Sequence, residues 1–335
     1  MRNRLKGCAV KLLLFGVSSL LCLGVLEVAV RWLFPYYNPK TQIGFRRTAD
    51  GLVLGVPGAT RTVRSPKGDY ELTVKFNRYG FRDEKDLAQS SANDVFVVGD
   101  SFSFGWGVEI HERYSDVLAS RMGANVYNIA IPGDLLDYFK LVKHAEQNGA
   151  KIGRLVIGVC MENDIRNYVE MKRESVTGRP AETDDLSVRD WIKMHFALYN
   201  AASHILQAKL HAGALLEKVG IARDIEQTTV THQFSEPAVV SSRDEVLRLA
   251  RDYQIVVLII PSRALWHGKN VESERKIHER FVQLLGEAGL QVVDMRPVFE
   301  ASGNPLDFYF KKDSHWTPKA HAAAGEALAR AFGAK

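Results

Sequence analysis

The stretch VFVVGDSFSFGWGVE, Val95 to Glu109, decides the reading of this chain. Val95–Val98 is apolar without interruption and mostly β-branched, and it stops at Gly99-Asp100-Ser101. A run so short and unalternated reads as a strand buried on both faces. Gly99 permits a tight turn, and Asp-Ser either caps a following helix or sets a serine at the rim of a sheet. Four further runs are short, nearly continuous and rich in β-branched residues: Val126–Ile131, Leu155–Val159, Ile255–Ile260 and Leu290–Val293. Between them lie segments with apolar residues at helical spacing: Arg113–Met122, Leu135–Gln147, Glu245–Tyr253 and Glu274–Ala288. Thr317-Pro318 is a helix-start signal, with the helix expected to run to about Phe332. Strands alternating with helices predict a doubly wound α/β fold, a flavodoxin-like three-layer α/β/α sandwich with a parallel sheet. Ligands then bind at the carboxyl ends of the strands.

At 335 residues the chain has room for one large domain and an appendage. Its net charge of +5 is not spread evenly. Residues 1–35 hold Arg2, Arg4, Lys6, Lys11 and Arg31 against Glu27, so all but one unit of the excess lies there. The main body is nearly neutral, which argues against a nucleic-acid surface.

Leu12–Phe34 is 23 residues of predominantly apolar sequence, enough to cross a bilayer as a helix. Glu27 and Arg31 interrupt it at i and i+4, where they can pair. Trp32, Tyr36 and Tyr37 supply interfacial aromatics, and the four preceding cations keep the N-terminus in the cytoplasm. The competing reading is a cleaved signal peptide. Cleavage after Ala29 would leave Glu27 where a small residue is expected, and Leu21 before Cys22 makes a poor lipoprotein site. The expectation is therefore a single-pass inner-membrane anchor with an extracytoplasmic, periplasmic body. Of the three cysteines, Cys8 and Cys22 lie in or beside this segment and Cys160 sits in an apolar run, so the exported part has no pair for a disulfide.

Residues 36–92, rich in Gly, Pro, Arg and Thr, predict an extended, β-containing lead-in; Glu71–Asn77 alternates as a strand does. Residues 93–335 form the main domain. Within it, about 166–240 is too long for one crossover and reads as a helical insertion and candidate lid over the site, with Trp191–Lys218 helical.

Ser101 would stand at the end of the first core strand. Its hydroxyl is inert without a base. Gly133, after the second strand, leaves room for its N–H to face a substrate oxygen. Asn163, after the third, can donate to an oxyanion, with Asp164 following. Asp313 and His315 precede the last helix, and an acid beside a histidine can hold the ring as a base. Alone, each has an ordinary reading as a cap, loop glycine or solvated side chain. Ser103 is an alternative nucleophile, His321 is expected on the surface of the last helix, and Trp106 or Tyr138 could stack on a sugar ring. No histidine or cysteine spacing suggests a metal, and no phosphate loop is present.

Taken together, Gly99-Asp100-Ser101, Gly133, Asn163 and Asp313-x-His315 resemble the four blocks of the SGNH (GDSL-type) esterase and acyltransferase superfamily. Phe76–Asp83, FNRYGFRD, is similar to an element that precedes the serine block in membrane-anchored members. Met161 stands where the family's third block usually has glycine. The two-residue Asp–His spacing with Trp316 is similar to the alginate-acetylation branch. The resemblance implies Ser101 as nucleophile, His315 as base and Asp313 as its orienting acid. It implies Ser101, Gly133 and Asn163 as oxyanion donors. It also implies an acylated carbohydrate or other ester as substrate, with no cofactor. Two alternatives are a membrane-proximal lipase or thioesterase and a non-catalytic polysaccharide-binding or assembly protein.

Overall fold

The structure is a computed structural model, and it describes residues 2–41, 43–48, 50–65, 68–177, 192, 195–210 and 232–334. In chain order, helix α1 (Arg2–Leu33) is followed by four short strands, β1 (Phe45–Arg47), β2 (Val53–Gly55), β3 (Thr60–Arg64) and β4 (Glu71–Lys75). Then come β5 (Val95–Gly99), α2 (Ser101–Phe104), α3 (Tyr114–Met122), β6 (Val126–Asn128), α4 (Leu135–Gln147) and β7 (Arg154–Cys160). Helices α5 (Tyr168–Thr177), α6 (Ala197–Leu210) and α7 (Glu236–Ala250) lead to β8 (Gln254–Ile260), α8 (Val271–Glu287), β9 (Gln291–Asp294), α9 (Met295–Glu300) and α10 (Pro318–Ala331).

The chain divides into two compact units. The first comprises Met1–Gln42 and Leu186–Ile221; the second comprises Ile43–Asp185 and Ala222–Lys335. In the first unit, Lys11–Leu33 of α1 is long and apolar enough to cross a membrane. Glu27 and Arg31 pair at 2.7 Å, as their spacing predicts. Of the helix expected over Trp191–Lys218, Ala197–Leu210 is helical, and the flanking parts lie largely outside the described residues.

The second unit is built on a five-stranded parallel sheet in the order β6-β5-β7-β8-β9. This is the flavodoxin-like order, with a topological switch between β5 and β7. The continuous apolar runs are explained by the pleat. Phe96, Val98, Leu155, Ile157, Val257 and Ile259 face one core, with α4, α7 and α8. Val95, Val97, Val156, Val256 and Leu258 face the other, with α3, α9 and α10. Alternate residues therefore point to opposite but equally apolar layers.

The sheet strands differ slightly from expectation. β6 ends at Asn128, because the Asn128 side chain turns the backbone by accepting the Ala130 N–H. Helix α7 begins nine residues before the expected Glu245, its Pro237 in the first turn where a missing N–H does no harm. The lead-in forms two antiparallel hairpins, β1–β2 and β3–β4. Leu54, Leu72, Val74, Phe76 and Phe81 from this region join the first core.

Candidate active site

Ser101 is the first residue of α2, a single turn that starts directly after β5. Asp100 caps it, its Oδ1 accepting the Phe102 N–H at 2.9 Å. At that first position the Ser101 N–H has no intrahelical acceptor. The turn ends at Gly105, whose φ of 82° lies in the left-handed region.

The lead-in element around Phe76–Asp83 braces this turn. Asn77 Oδ1 accepts the N–H groups of Tyr79 and Phe81, and Phe81 is fully buried. Arg82, also buried, donates to the carbonyls of Gly105 (2.6 Å) and Val108 (2.8 Å). Asp83 accepts the Asn128 N–H at 2.7 Å. A buried guanidinium that spends its donors on loop carbonyls fixes the backbone just beyond Ser101.

Asp313 and His315 come from a tight loop closed by a Tyr309–Trp316 bridge, with the Phe310 N–H donating to His315 O at 3.0 Å. Trp316 is fully buried and anchors it. The two-residue spacing lets one oxygen do two tasks: Asp313 Oδ1 accepts both the His315 backbone N–H (2.9 Å) and ring Nδ1 (2.6 Å). The other ring nitrogen, Nε2, lies 2.8 Å from Ser101 Oγ. His315 and Asp313 side chains retain 17% and 19% of their exposure, so the group is reachable yet mostly screened from water. Burial alone would raise the Asp313 carboxyl, but the hydrogen bonds and charge of His315, with a further bond from Tyr70, hold it at about 2. It stays ionised throughout the neutral range. A hydroxyl in line with an imidazole and a carboxylate in this way can lose its proton as it attacks a carbonyl.

The other predicted residues are placed less uniformly. Asn163, in the turn after β7, donates from Nδ2 to Asp100 Oδ2 at 2.9 Å, which ties it to the residue preceding Ser101. Its amide has a second N–H to offer. Burial pushes the Asp100 carboxyl up, against the Asn163 hydrogen bond. Gly133 stands apart from this hydrogen-bonded chain, ahead of α4. A Cβ there would lie 2.8 Å from Asp137 Oδ2, so the Asp137 side chain would have to shift to admit one. Met161, at the position of the family's usual glycine, is buried, and the next residue, Glu162, accepts the Arg263 N–H at 3.1 Å, joining the ends of β7 and β8.

Two minor candidates, Ser103 and Tyr138, are set aside, and the expectation for His321 is corrected. Ser103 is fully buried beneath the sheet, accepting from Tyr114 Oη at 2.7 Å, in space that Gly99 and Gly158 leave open. Tyr138 is buried too, donating to Asp164 Oδ2 at 2.9 Å, so it cannot stack on a sugar. His321 lies on the inner face of α10, fully buried, with Nδ1 accepting the Tyr114 N–H. Trp106 does sit at the site, its ring stacked on His315 with centroids 5.7 Å apart.

Sequence reasoning missed Tyr70. Its Oη donates to Asp313 Oδ2 (3.1 Å) and accepts from Trp106 Nε1 (2.7 Å). The neighbouring Asp69 accepts the Lys312 N–H at 3.1 Å. Nothing local marks this tyrosine, because its partners are 36 and 243 positions away. Among the described residues, no group of three or more His, Cys, Asp or Glu side chains could hold a metal ion.

Residues 227–335, which carry Asp313 and His315, match the family model for the SGNH hydrolase-like domain of the acetyltransferase AlgX. That part of the chain is similar to an SGNH hydrolase-like domain. The match supports an enzyme acting on ester bonds, as hydrolase or acyltransferase. Solved structures similar to this chain include a lipolytic G-D-S-L family protein from Veillonella parvula, at 9% identity and TM-score 0.42, covering 72% of this chain and 98% of that one. A lipase/acylhydrolase from Enterococcus faecalis matches at 11% and 0.41, covering 71% and 94%. Est24, a carbohydrate acetylesterase from Sinorhizobium meliloti, matches at 12% and 0.37, covering 72% and 98%. No curated protein matches the chain.

Proposed function

We propose that this SGNH domain transfers or hydrolyses acyl groups, acetyl above all, on a cell-surface or exported polysaccharide. It does so through a Ser101–His315–Asp313 triad. The observation that carries the reading is the unbroken line from Ser101 Oγ to His315 Nε2 (2.8 Å) and from Nδ1 to Asp313 (2.6 Å). His315 takes the Ser101 proton as Oγ attacks the ester carbonyl, and Asp313 orients the ring and stabilises its cation. The N–H groups of Ser101 and Gly133 and the Asn163 amide receive the oxyanion. His315 then protonates the leaving alcohol. Water or a sugar hydroxyl, deprotonated by the same imidazole, releases the acyl group from Ser101. The polysaccharide substrate is supported by the AlgX-type match, and a periplasmic domain on a single inner-membrane span is supported by the membrane-anchor reading of Lys11–Leu33.

The test uses full-length protein in detergent with p-nitrophenyl acetate and longer acyl esters, beside Ser101→Ala and His315→Ala. Both variants are expected to lose nearly all turnover. Activity that survives both would refute the triad. Adding an oligosaccharide acceptor and following acylated sugar by mass spectrometry separates transfer from hydrolysis, and a preference for long chains would favour a lipase instead.

A further inference from the structure

Glu27 poses a physical problem, given the reading of α1 as a membrane anchor, on which this inference rests. It lies six residues before the end of the apolar span Lys11–Leu33, about 9 Å along the helix at 1.5 Å per residue. A carboxylate at that depth is costly unless it is paired. Arg31 neutralises it from the next turn. The remaining bonds come from elsewhere. Glu27 Oε1 accepts the N–H of Ala197 at 2.8 Å and Oε2 that of Leu198 at 2.7 Å. Arg31, for its part, donates to His195 O at 2.5 Å. The ion pair inside the span thus caps the start of α6.

This is the pairing that a low-dielectric medium demands and that water does not. The first amides of a helix have no internal acceptors and carry partial positive charge. In water they would be solvated. In lipid they need a protein acceptor, and a carboxylate in lipid needs donors. Bonds under 3 Å hold the beginning of α6 at the depth of Glu27. The sequence of α6, ALYNAASHILQAKL, has Lys209 as its sole permanently charged residue. At 14 residues, about 21 Å, the helix is too short to span. Asn200 Nδ2 donates to Tyr37 O at 3.2 Å, and Tyr37 lies just past the end of the span, so α6 stays near the interface. Between the helices runs a groove of about 480 Å³, lined by Leu20, Leu23 and Gly24 of α1 and by Phe196, Tyr199 and Ala202. Leu20 and Leu23 are exposed surface of the span itself, so whatever surrounds the span enters the groove.

We propose that α6 is a lipid-embedded helix, docked on the anchor in the leaflet where α1 leaves the membrane, with lipid acyl chains filling the α1–α6 groove. This helix of the insertion is then a second membrane contact rather than part of a lid.

The full chain, reconstituted in nanodiscs of phosphatidylcholine and phosphatidylglycerol, tests this. Cys8 and Cys22 are replaced by alanine, the buried Cys160 is kept, and single spin labels are placed at Ala202 in the groove and at Leu14 on the span. Collision with oxygen reports lipid and collision with a soluble nickel chelate reports water. Ala202 is expected to match Leu14, open to oxygen and closed to nickel. A wet Ala202 beside a lipid-exposed Leu14 overturns the inference and leaves the anchor standing; wet labels at both overturn the anchor reading itself. Glu27→Leu makes the span more apolar but removes the cap, so Ala202 should shift towards nickel access while Leu14 does not move. An Ala202 label that stays dry in Glu27→Leu overturns the role given to the carboxylate.

Discussion

The Tyr70 phenol donates to Asp313 Oδ2 at 3.1 Å, the one carboxylate oxygen that His315 leaves unused. With Asp69 holding the Lys312 N–H, the hairpin β3–β4 braces the acid–histidine loop from outside the domain that the sequence blocks delimit. Burial, and then the charge of Asp313, push the Tyr70 hydroxyl well above the ordinary tyrosine range, so it remains a donor. Tyr70→Phe removes that bond and leaves the ring packed on Phe310. The expected result is a kcat lower by roughly five- to tenfold, on the scale of one charge-assisted hydrogen bond acting through Asp313, with KM little changed. Steady-state kinetics on p-nitrophenyl acetate check this. An unaltered kcat would mean that Asp313 needs no second support.

Asn163 is the next residue to test. Asp100 sets both the helical turn at Ser101 and the Asn163 amide, with 2.9 Å bonds to each. Asn163→Ala should lower kcat by about a hundred- to a thousandfold, as removal of an oxyanion donor does, without unfolding the domain. Asn163→Asp should do worse, because it sets a second carboxylate against the fully buried Asp100. Circular dichroism beside the kinetics separates lost catalysis from lost fold. Wild-type turnover in Asn163→Ala would remove it from the oxyanion site.

Gly107 has φ of 90°, and a Cβ there would lie 2.6 Å from the Phe310 ring and 3.2 Å from Tyr70. Gly107→Ala therefore combines left-handed backbone strain with a clash against the braced loop. A loss of about 1–3 kcal/mol in stability is expected, together with a lower kcat as Tyr70 is pushed from Asp313. Denaturant melts and kinetics would show it; a variant that is destabilised but fully active would separate Gly107 from the brace.

The sheet was legible because its central strands β5, β7 and β8 are nearly continuous apolar runs rich in β-branched residues, which read as buried parallel strands in a chain with interleaved helices. Ser101, Asn163, Asp313 and His315 were legible because each sits at a strand end or just before a helix, where short motifs mark position. What escaped was set by partners distant in sequence. His321 and Tyr138 are polar residues whose buried partners, Tyr114 and Asp164, cannot be inferred from their neighbours. Arg82 belonged to a recognised element, yet its function as a clamp on Gly105 and Val108 required the fold.

His321 also carries a prediction about acid. Burial, then the nearby positive charges of Arg113 and Arg82, lower its imidazole from 6.5 to about 3. The folded protein thus binds this proton more weakly than the unfolded chain does. Its contribution to stability is complete above pH 6.5 and is lost as pH falls towards 3. Asp313, held at about 2, acts in the same direction but lower, between the ordinary carboxylate value and 2. Asp164 has the opposite sign: burial raises its carboxyl well above the usual range, so its contribution is present in acid and fades as pH rises. The melting temperature should therefore decline between pH 6.5 and 4, chiefly through His321. His321→Asn keeps an acceptor for the Tyr114 N–H but has nothing to protonate. It should melt lower than the parent at pH 7.5, because of the smaller side chain, and show a flatter slope from pH 6.5 to 4. Melts followed by circular dichroism across that range decide it. Parallel slopes in parent and variant would show that some other group governs the acid limb.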